Sequence, residues 1–309
     1  MTPAAPWRRG TTLATLAAVA LVMAGAPDCH AGSLRYCDGG TPLTAEQNDR
    51  MLRFSGIVKA ELDRSGASLA LVSRSGLDLD FFGLRYSHAG ISLKASAETP
   101  WAVRQLYFSC DERKPRLFDQ GMSAFVLGTQ QPALGFLSVV LLPPADSFDL
   151  ERAALDNRQA LQLLGATYSA NAYAFNVAYQ NCNQWLAELM AAAWSRPVED
   201  SDARRQAQAW LRDAGYAPTV IDVGWHALMW VAPLIPWVHN DDHPADDIAA
   251  KHYRVSMPAS IEAFVQARVP GATRLEFCHT DKHVVVRRGW GMLPEACEAG
   301  PQDEVIALD

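Results

Sequence analysis

From residue 45 apolar positions recur every three or four residues, at Met51, Leu52, Phe54, Ile57, Val58 and Leu62. The spacing predicts a helix that opens on the capping box Thr44-Ala45-Glu46-Gln47 and stops near Ser65-Gly66. The period then shortens to two. Strands are predicted at Ser68 to Val72, along LRYSHAGISLKA from Leu84, at Trp101 to Phe108 as its antiparallel neighbour, at Arg116 to Phe118 and at Leu137 to Leu142. Helical spacing returns from a cap at Asp149 to about Leu164. After an Ala- and Tyr-containing loop, 166–180, Asn181 is placed to cap a further helix that begins at Cys182. Pro197 and the acidic run Glu199-Asp200-Ser201-Asp202 interrupt the pattern. Beyond them come a polar helix at 202–214, an apolar segment from Trp225 to Trp237, a helix at about 258–268, and a hairpin of RLEFCH and HVVVRRG around Thr280-Asp281-Lys282. Strands in the middle with helices on both sides predict an α+β protein with an antiparallel sheet packed against helices. We divide it into a core at 32–195 and a C-terminal α/β extension at 196–309, packed on the core.

The N-terminus changes the setting. Trp7-Arg8-Arg9 precedes an uncharged apolar run, Thr12 to Gly25, and Cys29-His30-Ala31 before Gly32-Ser33 offers a small-residue cleavage site. The run is too short to span a bilayer. Residues 1–31 therefore read as a signal peptide, and the protein as soluble and periplasmic or secreted, with no transmembrane span after cleavage. The whole chain carries a formal charge of -7, and no run of Lys and Arg interrupts that acidity, which argues against nucleic acid as a partner.

Export makes the cysteines informative. Past residue 31 the chain keeps Cys37, Cys110, Cys182, Cys278 and Cys297, an odd number where disulfides form. Pairing Cys278 with Cys297 and Cys37 with Cys110 leaves Cys182 over. It sits in YQNCNQW at the first turn of a helix, where unpaired N–H groups favour thiolate, and a nearby imidazolium would lower its pKa further. His88, in a strand where Ala89 and Gly90 permit close approach, is the base best placed to serve it. On strict alternation Tyr86, His88 and Gly90 share one face.

A strand bearing SHAGI followed by NC at a helix start resembles the circularly permuted papain-like enzymes of the NlpC type, which include relatives of lecithin-retinol acyltransferase. There a His-x-Gly strand precedes the cysteine helix, as it does here. The likeness covers about residues 45–195. The chain as a whole also resembles a family of secreted proteobacterial proteins of unknown function. The resemblance implies a permuted papain-like core, with Cys182 as nucleophile and His88 as general base. It also implies a polar residue on the following strand that holds the imidazole. Arg104 and Gln105 are the choices, and we take Gln105, because an arginine would oppose an imidazolium. The backbone N–H of Cys182 would serve the oxyanion together with a side-chain donor, for which Tyr86 ranks ahead of Gln180 and Tyr179. Asn181 reads as a cap rather than a catalytic group, and no cofactor is implied.

Two other stretches compete for attention. His239, Asp241, Asp242, His243, Asp246 and Asp247 crowd into WVHNDDHPADD, but their spacing fits no metal-binding template and the stretch reads as a polar loop, with no metal assigned. Trp225 to Trp237 holds three tryptophans and two prolines, a buried cap over the core or a surface for peripheral membrane contact. The reading that joins these features is an exported thiol hydrolase or acyltransferase that cleaves an amide or ester of a cell-envelope peptide or acyl substrate. The alternative is a non-catalytic periplasmic binding or structural protein on the same scaffold.

Overall fold

The computed structural model describes residues 43–129, 131–195 and 202–308. The expected signal peptide, Cys37 and most of the acidic run at the expected boundary lie outside the described residues.

Helix α1, Ala45–Ser65, opens on the expected capping box, with Gln47 N–H donating to Thr44 Oγ1 at 3.1 Å and Thr44 N–H to Gln47 Oε1 at 2.9 Å. It buries Met51, Phe54, Val58 and Leu62 along one stripe, and Gly66 closes it at φ 71°, a conformation that favours glycine. Five strands follow with two helices: β1 Leu69–Arg74, β2 His88–Leu93, β3 Ala102–Ser109, β4 Lys114–Gln120, α2 Met122–Leu127, β5 Gly135–Leu141 and α3 Pro144–Leu155. Then come α4 Asn157–Gln162, the cysteine helix α5 Cys182–Ser195, α6 Ala203–Asp213, β6 Thr219–Asp222, α7 His226–Val231, α8 Ala245–Ala249 and β7 His252–Val255. Helix α9 Pro258–Arg268 and strands β8 Thr273–His279, β9 His283–Arg288 and β10 Glu304–Ala307 complete the chain.

Eight strands form one antiparallel sheet in the order β10-β9-β8-β5-β1-β2-β3-β4, and β6 and β7 pair separately. The α+β class is as expected. The C-terminal hairpin is continuous with the central sheet, because β8 pairs β5 over its whole length, from Gly135↔His279 to Leu141↔Thr273. One face of the sheet packs the apolar stripe of α1 and the residues Met122, Phe125 and Val126 of α2 against Val72, Val103, Val139, Phe277 and Val286. On the other face α5 lies over β2 and β3, flanked by α3 and α6. Its residues 182–193 are buried all round, as a central helix requires.

Two local expectations are corrected. The helix expected from Asp149 to about Leu164 is two helices, because Pro143-Pro144 starts the first earlier and Asp156 turns outward to cap the second, accepting from Arg158 N–H at 2.8 Å. The strand expected from Leu84 begins only at His88. Leu79 and Leu84 close a turn upstream, and Ser87 Oγ accepts from Leu77 N–H at 3.0 Å, so residues 84–87 lie outside the paired strand.

Candidate functional site

Asn181 caps α5 as its sequence predicts, its Oδ1 accepting from Gln184 N–H at 2.7 Å while Nδ2 donates to Ala170 O and Ser256 O, both at 3.3 Å. The next residue but one sets the helix against β2. Asn183 Oδ1 accepts from Ala89 N–H at 2.9 Å and its Nδ2 donates to Ser87 O at 3.2 Å, so its amide brackets His88. That clamp needs an Ala89 N–H free of the β3 ladder, which begins only at Ile91↔Arg104. Gly90 lets β3 come close at this point, since a Cβ there would lie 2.6 Å from Val103 Cγ1. Cys182 thus meets the N–H groups of Ala89, Asn183 and its own residue, each of which favours a thiolate.

His88 is held from the opposite side. Its Nε2 is hydrogen-bonded to Gln105 Oε1, and Gln105 Nε2 donates to Gln120 Oε1 at 2.7 Å, which fixes the amide with its oxygen toward the imidazole. Nε2 then carries the proton, and Nδ1, without a hydrogen bond among the described residues, keeps its lone pair. The structure therefore brings together Cys182, the His88 segment and Gln105. No hydrogen bond among the described residues joins the thiol to the imidazole. Arg104 is turned away to Asp119, at 2.7 and 2.6 Å, and to Ala154 O.

The electrostatics correct one expectation. Cys182 and His88 are 6% and 5% exposed. Burial is the largest influence on both: it raises the thiol to about 12 against the pull of the three N–H groups, and it lowers the imidazole to about 3, helped by Arg74 and opposed by Gln105. The pair rests neutral rather than as thiolate and imidazolium. The sequence expectation rested on the helix end and a nearby imidazolium, and desolvation outweighs the first and removes the second.

The expected side-chain oxyanion donors are placed elsewhere. Tyr86, outside the strand, packs with Phe136, Cys278, Val285, Leu293 and Cys297, and its hydroxyl donates to Glu276. Gln180 spends its amide on Gly165 N–H, Leu163 O and Glu188 Oε2, at 2.6 to 2.8 Å. Tyr179 stacks on His239, centroids 4.1 Å apart, and donates to Asp241 at 3.0 Å. The His- and Asp-rich stretch braces the loop that leads to Cys182: Asp242 accepts from Tyr173 N–H at 2.7 Å and His243 Nε2 bonds Asn171 O at 2.8 Å. Among the described residues no three His, Cys, Asp or Glu side chains are grouped to hold a metal.

Cys278 and Cys297 form a disulfide, Cα atoms 5.7 Å apart. Cys110 is also disulfide-bonded, and its expected partner Cys37 lies outside the described residues. Among the described cysteines Cys182 is the free one. A cleft of about 510 Å³ opens nearby, between Ser75-Gly76-Leu77, Thr129 and Phe136, but neither Cys182 nor His88 lines it. Sequence reasoning passed over two residues that matter here. Asn183 was visible in the NCN motif, whereas Arg74, whose charge acts on both the thiol and the imidazole, closes an otherwise ordinary apolar strand.

No helix among the described residues is long and apolar enough to cross a membrane. No curated protein and no solved structure matches the chain. The model of a family described as uncharacterized proteins conserved in bacteria (DUF2145) matches residues 61–265, a stretch that contains Arg74, His88, Gln105 and Cys182, and the chain belongs to that family.

Proposed function

With membership of this bacterial family as the premise, we propose that the protein is an exported thiol hydrolase or acyltransferase with a permuted papain-like core, acting on an amide or ester of the cell envelope. The observation that carries the proposal is the convergence of a reduced Cys182, at the N-terminus of α5, on the strand whose His88 is oriented by Gln105. In the reaction His88 Nδ1 accepts the thiol proton and the sulfur attacks the carbonyl carbon. The oxyanion meets the N–H groups around the thiol, and collapse expels an amine or alcohol that takes the proton from His88. Water, or a hydroxyl acceptor in a transferase, then resolves the thioester. Burial of both groups means that access follows movement of a cover. The small unit of Val223, Met229, Tyr253, Val255 and Met257 sits at the start of α5, where Met257 Sδ is 3.9 Å from Asn183 Nδ2. The outer side of this unit exposes Trp225 (74%), Trp230 (79%) and Leu234 (81%), side chains suited to a bilayer interface, and this tilts the substrate toward acyl groups of an amphiphile.

The burial itself favours a second reading, a binding protein in which Cys182 never reacts. Peptidoglycan fragments and p-nitrophenyl acyl esters, offered with and without neutral phospholipid vesicles, separate the two. Catalysis predicts turnover that disappears in Cys182→Ala and, for the acyl reading, rises with vesicles. Absence of turnover on every substrate, with equal binding by the parent and Cys182→Ala, leaves the binding protein.

A further inference from the structure

Arg74 ends β1 and is 6% exposed. In the register of β1 and β2 it lies directly opposite His88, so the two side chains leave the same face of the sheet as close neighbours. Its guanidinium donates to Gly128 O and, at 3.4 Å, to Ser75 O, and its carbon lies 5.4 Å from the Phe125 ring centroid, with Phe125 in turn 6.0 Å from the His88 ring. Two glycines make room for it: a Cβ on Gly76 or on Gly128 would stand 2.5 Å from a guanidinium nitrogen. Ser75 and Gly76 on one side and Thr129 on the other are walls of the 510 Å³ cleft. Arg74 is therefore bonded to the chain beside both walls, at Ser75 and at Gly128, and stands next to His88.

Building on the reading of Cys182 as a nucleophile, we propose that Arg74 is the positioning residue of this site, a fixed cation that draws an anionic group from the cleft toward Cys182 and steadies negative charge developing there. The buried imidazole stays neutral and cannot supply an imidazolium in advance. Arg74 is the charged side chain whose field reaches both the thiol and the imidazole, and it favours thiolate at the one as it disfavours imidazolium at the other. Gln105, Tyr107 and Phe125 also pack on the imidazole. A guanidinium remains charged where a lysine would shed its proton, which suits a cation this deeply enclosed. Substrates that place a carboxylate or phosphate near the scissile bond are favoured on this view.

The test compares two alkylating reagents of similar size, anionic iodoacetate and neutral iodoacetamide, on the full folded chain, with Cys182 followed by peptide mass spectrometry. Changes in access affect both reagents alike, so the ratio of their rates reports charge at the site. Arg74→Gln is expected to lower the iodoacetate-to-iodoacetamide ratio by about tenfold. Arg74→Lys is expected to keep most of it near neutral pH and to lose it as pH rises. Gly128→Ala, which pushes the guanidinium aside without removing it, shifts the ratio in the same direction as Arg74→Gln and stands in should that variant fail to fold. An unchanged ratio in Arg74→Gln or Gly128→Ala overturns the role of Arg74 alone. Failure of either reagent to modify Cys182 in the folded parent overturns the nucleophile reading as well.

Discussion

Two polar clusters are buried against the one sheet, and they are built on opposite rules. Around β8, Glu276 accepts from Tyr86 and pairs with Arg85 at 3.0 Å and Arg274 at 3.2 Å, while Arg274 also pairs with Glu262 at 2.9 Å and the Cys278–Cys297 disulfide closes the cluster. Charge there is matched to charge, and the thiols are spent on each other. Around β2, the buried thiol and imidazole are neutral, His88 Nδ1 and the Cys182 thiol are not bonded to each other, and the sulfur stays reduced. A buried polar group that has found its partner contributes to the fold. One left poised between partners is available for chemistry.

Removing one member from each cluster puts that contrast to its hardest test. Glu276→Ala takes from Arg85 and Arg274 the buried carboxylate they share, and chemical denaturation should show a loss of about 3–5 kcal/mol, whereas Cys182→Ala should stay within about 1 kcal/mol of the parent. Equal losses would dissolve the distinction. Acid should separate the clusters next. His88 is held near 3 in the folded chain and returns to its ordinary 6.5 when unfolded, so protons bind the unfolded state preferentially between those values. Stability should therefore be full above about pH 6.5 and fall as pH drops toward 3, on the order of a few kcal/mol in total, with His279, lowered to about 4, adding its own share. His88→Asn should flatten much of that slope. The smallest effect concerns support: Gln105→Ala leaves the His88 Nε2–H without its acceptor and should cost about 1–3 kcal/mol by the same denaturation measurement.

How much of this the chain announces depends on how local each cause is. The Thr44 box, the Asn181 cap and helix α9 are set within a few residues, and the structure returns them as read. Cysteine parity pointed to the free thiol without any geometry. Gln105 followed from the resemblance, which implies a polar residue on the strand after the histidine, and from the chemistry that sets an imidazolium against Arg104. Tyr86 was misplaced because alternation holds only inside a paired strand, and pairing on β2 starts at the histidine itself. Asp156 carried a cap signal that a run of good helix formers obscured. Arg74 had no local signature at all, since its meaning arises from lying across from His88 and against Gly128, both brought to it by the fold. The neutral state of the pair was equally hidden, because burial is a property of the assembled fold.

The pairing of β5 with β8 also governs when the site comes into being. That contact joins residues 135–141 to residues 273–279, so the sheet closes only after almost the whole chain is in hand, a long-range event of the kind that slows folding. Until then Cys182 lies in an open chain between Cys110 and Cys278, exposed to thiol–disulfide exchange with sulfurs that belong to other pairs. The burial that keeps the finished thiol quiet is thus also its protection from mispairing, and it arrives late.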